Sequence, residues 1–494
     1  MAVAKRTSGF GLVLAPRDAG TRAYQWLYAG LRGAILRGQL RPGARLPSTR
    51  ELATQYGVAR GTVVTAFAQL ESEGYLNSTV GSGTYVNAIL PDHLLQVDAR
   101  SAARAARPAR RRLSAYAARV IEFPPLENRP SRAFRSNLPA LDQFPIAVWA
   151  QLASRRLRGA STRLLMSSET LGHRPLREAI VDYLASSRGV TCHADQVMIV
   201  SGVQEALDLV VRIVVNPGDT VGMEDPGYIG ARQLFQAAGA RIATVPVDDD
   251  GMTLPPAVLR RARLIYTTPA HHYPLGVAMS LPRRLALLEL VRATGALIFE
   301  DDYDSEYRYS GRPIPALHGL DTTGQVVFAG SFSKVLFPSL RLGYLVLPAD
   351  LVDRFAAVRS LTCRHLPVLE QVIVGDFITG GHFGRHLRRM RQLYAERLGV
   401  LVECVRQQLA GALALSPIEA GLQTIGWLAP GVSATAVTEA AAARNVEVFP
   451  LPRYRGAPPR DGLQLGFAAV NPREIRRGVS ELAQIIGPGA RARR

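Results

Sequence analysis

The chain has almost no lysine. Of its 59 lysine and arginine residues, only Lys5 and Lys334 are lysines. Arginine serves wherever a plain surface cation is needed. A lysine kept in such a chain points to chemistry that a guanidinium cannot do, namely Schiff-base formation with an aldehyde. A single leftover surface lysine is the alternative at this point. Cysteine is also scarce. Cys192, Cys363 and Cys404 lie far apart with no CxxC spacing, which argues against a disulfide framework or a zinc site and fits a reducing cytoplasm. No metal is expected. No apolar run approaches the ~18 residues of a membrane span, and Met1 to Phe10 has no long apolar core behind its basic residues, so it does not read as a secretory signal. Acidic residues are outnumbered, 40 against 59, for a net charge of +19.

What is present is long and divided. At 494 residues the chain exceeds one ordinary core, and two or three domains are expected. The positive charge is concentrated at the front: residues 1–90 carry +6, residues 91–135 another +6, and the rest +7. Such a head suits nucleic acid.

Residues 24–36 repeat apolar side chains at helical spacing (Trp26, Leu27, Leu31, Ala34, Ile35) and end in Gly38, Pro42 and Gly43. Leu46-Pro47-Ser48-Thr49-Arg50-Glu51-Leu52-Ala53 offers Ser48 and Glu51 as a capping box. Tyr56-Gly57-Val58 is a turn. A second helix follows over 59–70, with Val63, Phe67 and Leu70 on one face. This is helix-turn-helix grammar, and the polar start of the second helix suits the major groove. Val80 to Val86 reads as a β-hairpin with a glycine tip. In this order these motifs, with Glu71-Ser72-Glu73-Gly74-Tyr75-Leu76, closely resemble the winged helix of the GntR family across residues 21–87. The resemblance implies DNA contacts by Arg45, Ser48, Arg50, Arg60, Thr62 and Gly83, within a double-stranded operator.

Residues 1–20 are a short extension. Residues 88–130 form an Ala/Arg/Pro-rich linker. Ala99 to Arg112 holds six arginines and no acid, and Pro108, Pro124, Pro125 and Pro130 break any long helix. A solvated, flexible tether is expected.

From 131 to 350, short apolar runs alternate with helical patterns. Candidate strands are 197–200, 220–223, 241–245, 264–267, 296–299, 326–329 and 343–347. This alternation predicts an α/β body with a mostly parallel seven-stranded sheet, its ligands bound beyond strand ends. Ser201-Gly202-Val203-Gln204 follows the first strand and opens a helix, a cradle suited to phosphate. The run Ser331-Phe332-Ser333-Lys334 follows another strand, and the planar fork of Arg341 suits a phosphate seven residues later. With Pro338-Ser339-Leu340-Arg341-Leu342-Gly343-Tyr344, this run resembles the cofactor lysine segment of fold type I pyridoxal 5′-phosphate (PLP) enzymes of the aspartate aminotransferase group. Its particular wording is that of the MocR-type regulators, a branch of the GntR family.

That resemblance implies roles residue by residue. Lys334 holds PLP as a Schiff base, with Ser331, Ser333 and Arg341 around it. Ser201, Gly202, Val203 and Gln204 form the phosphate loop. Tyr228, in Glu224-Asp225-Pro226-Gly227-Tyr228, stacks on the pyridine ring. Asp301 faces the ring nitrogen, with a carboxylate there keeping it protonated. Tyr303 bonds the ring oxygen; Glu300, Asp302 and Asp304 are left over. His271 lines the cofactor in Thr268-Pro269-Ala270-His271-His272-Tyr273-Pro274-Leu275-Gly276, where His272 replaces the family's usual Gln.

Residues 351–494 form a smaller α+β domain. Gln464 stands where many aminotransferases have the arginine that clamps a substrate carboxylate, and Arg453 is the nearest substitute for an effector carboxylate. The segment before Gly172 also lacks the tyrosine that usually reaches the partner subunit's site.

Together these readings imply a cytoplasmic, PLP-dependent transcription regulator, a homodimer with heads exchanged between subunits and no membrane attachment. It would sense an amine, an amino acid or PLP itself through Lys334. The alternative is a working aminotransferase that carries a DNA-binding domain.

Overall fold

The computed structural model describes residues 11–79, 82–88, 112–121, 131–166, 168–311, 315–454 and 461–491. The chain divides into two compact units, Met1–Arg112 and Leu113–Arg494.

The described residues of the first unit form three helices, α1 (Ala23–Leu36), α2 (Thr49–Tyr56) and α3 (Arg60–Ser72), then a hairpin of β1 (Leu76–Thr79) and β2 (Gly83–Val86). The predicted capping box is present. Glu51 N–H donates to Ser48 Oγ at 3.3 Å, and Ser48 N–H donates to the Glu51 carboxylate at 2.8 Å. Gly57 closes α2 in the left-handed region, φ 64°, where a side chain is disfavoured. The apolar stripe of α1 (Leu27, Leu31, Ala34, Ile35) packs with Val63, Ala66, Phe67 and Leu70 of α3 to form the core. β1 and β2 pair antiparallel, Leu76 opposite Val86, and Arg45 bridges to Tyr85 as a third edge. The expected hairpin tip at Val80 and Gly81 lies outside the described residues.

The second unit is built on an eight-stranded sheet. In chain order its strands are β3 (Val197–Val200), β4 (Thr220–Asp225), β5 (Arg241–Asp248), β6 (Gly251–Met252), β7 (Ala262–Thr267), β8 (Leu297–Asp302), β9 (Val326–Ser331) and β10 (Gly343–Val346). Their spatial order is β3-β10-β9-β8-β7-β4-β5-β6. The five strands from β9 to β5 run parallel, while β10 and β6 are antiparallel to their neighbours. All seven expected strands are present. The eighth, β6, went unforeseen because a two-residue strand has no periodicity to read. Helices cover both faces. One apolar layer joins the sheet to Val203–Val214, Ile229–Ala238 and Val352–Thr362, and another packs beneath Leu281–Thr294.

A four-stranded sheet follows: β11 (Leu413–Leu415), β12 (Gln423–Leu428), β13 (Phe449–Pro450) and β14 (Gly462–Gly466), ordered β11-β12-β14-β13 and antiparallel throughout. The long helix His382–Gln408 and the helices Ala434–Ala443 and Pro472–Arg491 pack with it. Phe134 bridges to Gly466 at the end of β14, and Ala133 bridges to Val446 just before β13. Asn137 then turns the chain in the left-handed region, φ 62°, a conformation asparagine tolerates better than most.

The described part of the linker is exposed, as expected of a solvated tether, but it is not without structure. Ala115–Arg119 is helical, Ser114 caps it, and Arg119 Nε donates to the carbonyl of Ala237 at 3.1 Å. Five residues are too few to hold a helix unaided, so this contact with the helix Ile229–Ala238 supports it. Pro108 and Pro124 lie beyond its two ends.

Replacing Ser48 with Ala removes the cap of α2. The first unit should lose about 1 kcal/mol of stability, read as a lowered melting temperature for that unit in calorimetry, with the second unit's transition unmoved.

Candidate functional site: a lysine beyond the ends of a parallel sheet

Parallel strands bring their carboxyl ends to one edge, and β8 and β9 pair so that Asp301 lies beside Ala329 and Asp302 beside Gly330. β9 runs out through Ser331 toward Lys334. The Ser331 hydroxyl accepts the N–H of Ser333 at 3.2 Å, fixing the turn. Lys334 Nζ donates to the carbonyl of Asn137 at 2.7 Å. Burial pushes this ammonium down to about 8, and Asp304 and Asp301 oppose that only in part. Lys334 is therefore an amine partly unprotonated near neutrality, as a nucleophile requires.

Asp301 is the next-to-last residue of β8 and is buried. Its Oδ2 accepts the hydroxyl of Tyr266 at 2.7 Å. Its Oδ1 is buried and has no partner among the described residues. Burial raises this carboxyl to about 7, with Tyr266 pulling the other way. A carboxylate oxygen held dry and unbonded suits a protonated ring nitrogen.

Tyr303, two residues on, is buried, and its hydroxyl lies 3.0 Å from His271 Nδ1. The same nitrogen lies 2.9 Å from Asp304 Oδ1. His271 thus sits behind Tyr303, linking it to Asp304. Its neighbour His272 is buried too; its Nδ1 accepts Leu275 N–H at 3.3 Å, and burial depresses it to about 3. It is a neutral imidazole.

Ser201 to Gln204 turn from β3 into the helix Val203–Val214. Gly202 has φ 136°, and a Cβ there would stand 3.6 Å from the Arg341 guanidinium, filling the concavity between them. The first-turn amides of this helix have no carbonyl within it to bond, and an anion beside them is favoured. The Ser201 amide is already taken by Glu205. Arg341 is exposed and adopts φ 52°. Tyr228 caps the helix Ile229–Ala238, half-buried, its hydroxyl donating to Gln204 Oε1 at 3.3 Å.

Arg453 stands apart. It is exposed, with its guanidinium over the Phe449 ring at 4.7 Å. The side chain its turn sends inward is Tyr454, buried and 2.6 Å from Gln464 Oε1. Gln464 also accepts from Ser136 Oγ at 3.1 Å. Tyr454 reaches Tyr273 at 3.1 Å, and Tyr273 accepts from Asn137 Nδ2 at 3.0 Å. A chain of neutral groups thus runs from Gln464 to the residue that holds Lys334. Sequence reading missed Asn137, Tyr266 and Tyr454. The signal for Tyr266 was a polar ring inside the apolar run Leu264-Ile265-Tyr266-Thr267; nothing in the sequence marked Asn137.

Two family models match the chain: the gntR family of bacterial regulatory proteins over residues 23–86, and aminotransferase class I and II over residues 133–482. The probable rhizopine catabolism regulatory protein MocR of Rhizobium meliloti is 41% identical, over 95% of each chain. The chain belongs to the MocR-type regulators of the gntR family. The pyridoxine biosynthesis transcriptional regulator PdxR of Corynebacterium glutamicum is 31% identical over 93% of this chain and 95% of its own. Among solved structures, the kynurenine aminotransferase of Pyrococcus horikoshii, in complex with PMP, aligns with a TM-score of 0.67 at 28% identity, covering 73% of this chain and 92% of that one. The α-aminoadipate aminotransferase LysN of Thermus thermophilus, bound to a phosphopyridoxyl-leucine adduct, aligns at 0.66 and 29%, with 73% and 92% covered.

This MocR-type regulator therefore joins a DNA-binding winged helix to an aminotransferase-like α/β body whose cofactor is PLP. The residues fit the cofactor: Lys334 for its aldehyde, Asp301 for its ring nitrogen, the Gly202 turn and Arg341 for its phosphate. Among the described residues no cluster of three or more histidine, cysteine or acidic side chains could hold a metal, and no helix is long and apolar enough to cross a membrane.

In the cofactor-free protein, labelling of Lys334 by trinitrobenzenesulfonate should rise through a midpoint near pH 8, mapped by peptide analysis. An ordinary lysine midpoint near 10.4 would show that burial does not depress this amine.

Proposed function

We propose that the body of this MocR-type regulator senses a small amine, an amino acid or PLP itself at Lys334, and that the heads turn the change into altered operator affinity. One observation carries the reading. Residues suited to hold the cofactor are at hand, yet where a carboxylate-clamping arginine would be expected stands Gln464, buried and bonded to Tyr454 and Ser136. Holding is kept while the means of turnover are altered, which favours sensing over multi-turnover transamination.

Bound PLP supplies an electrophilic carbon at which an incoming amine can exchange with the lysine. The chain's own residues do the rest. Asn137 fixes the Nζ of Lys334 when the lysine is free. Tyr266 orients the Asp301 carboxylate. The Asp304–His271 pair holds Tyr303 and positions its phenol. Gly202, Val203, Gln204, Ser333 and Arg341 anchor the phosphate, and Tyr228 covers the ring. Relatives of the same layout are named for rhizopine catabolism and for pyridoxine biosynthesis, so this architecture serves more than one metabolite.

Arg50 and Arg60 stand exposed near the starts of α2 and α3, where they suit base edges or phosphates. Thr62 lies in the same first turn of α3. Arg45 lies against Gly83 in the wing, a thin surface suited to the backbone. Ser48 serves α2 as its cap and stays exposed to a phosphate. The body's exposed Leu141, Ile146, Leu165, Met166 and Leu361 support a homodimer, with heads exchanged between subunits.

Arg60→Ala and Arg50→Ala should each weaken operator binding by about 1–3 kcal/mol if they read bases, and leave the visible cofactor band unchanged. Lys334→Ala should lose that band and, in operator titrations with candidate amines, lose the amine response while still binding DNA. An intact amine response in Lys334→Ala would overturn sensing through this lysine.

A further inference from the structure

The segment after β8 has a second face. Asp301 and Tyr303 serve the cofactor, but Ser305 and Glu306 turn into a separate cavity of about 290 Å³ between this segment and the long helix His382–Gln408. We propose that this cavity is a second ligand site, built for a small zwitterion whose ammonium meets Glu306 and whose carboxylate meets Arg308 and Arg391.

The acceptor is unmet. Glu306 Oε1 accepts the Tyr183 hydroxyl at 2.8 Å, but its Oε2 is buried and has no partner among the described residues; the same holds for Ser305 Oγ. Buried polar atoms are nearly always bonded, and exceptions call for a reason. The nearby guanidiniums do not meet this need. Arg188 lies against Asp302, its Nε donating at 2.7 Å and its Nη2 paired by charge at 2.6 Å but making no hydrogen bond among the described residues. Arg284 donates to the carbonyls of Met279, Pro315 and Pro269. Burial raises the Glu306 carboxyl and Asp302 adds to the effect, while the Tyr183 hydroxyl and the Arg188 charge offset it only in part.

The donors lie at the open side of the cavity, where Arg391 is exposed and Arg308 partly so. Arg308 gives one N–H to Glu419 at 2.9 Å, and Arg391 gives its Nε to the Glu306 carbonyl at 3.0 Å. Their other N–H groups make no hydrogen bond among the described residues, and planar guanidinium forks suit a carboxylate. One cavity therefore offers an acceptor for a cation and two forks for an anion. Leu387, Tyr183 and Tyr309 line it and give apolar cover to the carbons between. The volume lies at the small end of ligand pockets, which suits an amino acid and not a nucleotide.

The site borders the cofactor machinery. Ala270 in its wall precedes His271, and Ser305 follows Asp304, the two ends of the pair that holds Tyr303. An occupant here would press on that pair without touching Lys334.

The test uses full-length protein carrying its cofactor, treated with borohydride so that no amine can exchange at Lys334. Equilibrium dialysis is run with labelled glycine, 4-aminobutyrate and glutamate, and with acetate and ethylamine as single-charge controls. At least one zwitterion should bind at one per chain, at least tenfold more tightly than acetate or ethylamine. Glu306→Gln keeps the side-chain shape, and Arg308→Gln alters a partly exposed residue; each should weaken that binding tenfold or more with the cofactor spectrum unchanged. No retention of any zwitterion, equal binding of acetate, or full binding by a folded Arg308→Gln protein would overturn the proposal. Because the lysine is blocked, the result is separate from whether Lys334 senses an effector.

Discussion

The body depends on a carboxylate held in a place where it costs energy to keep one. Asp301 lies next to last in a central strand, buried, with Tyr266 bonded to one oxygen and no partner for the other among the described residues. A buried carboxylate with one oxygen unmet is disfavoured, so the fold must hold it by force of packing. It does so because β8 lies between β7 and β9, one supplying Tyr266 and the other leading to Lys334. The two groups that differ most in charge therefore meet one cofactor from neighbouring strands.

The head obeys a separate logic. Its core of Leu27, Leu31, Val63, Phe67 and Leu70 is closed on itself, and its helices start and stop by local signals. The residues named above for the cofactor all lie in the second unit.

The parts legible in the sequence were those with local rules. The capping box at Ser48 and Glu51, the apolar runs of the seven strands, and a lone body lysine after an apolar strand could be read from neighbours alone. The parts that were not legible depend on distant partners. Asn137 matters because of Lys334, almost two hundred residues away. His271 takes its place from Tyr303 and Asp304. Arg453 and Tyr454 are adjacent, and only the packing of a short turn decides which points inward. The helix at Ala115–Arg119 has no strong signal of its own and forms against Ala237.

That last contact joins two places that look unrelated. The helix Ile229–Ala238 begins at Tyr228, the residue proposed to cover the cofactor ring, and Arg119 holds it near its other end. Ten helical residues span roughly 15 Å as a stiff rod. A tilt of the rod as the tyrosine shifts would move its far tip, and that tip is the mooring from which the tether to the DNA-binding head is paid out.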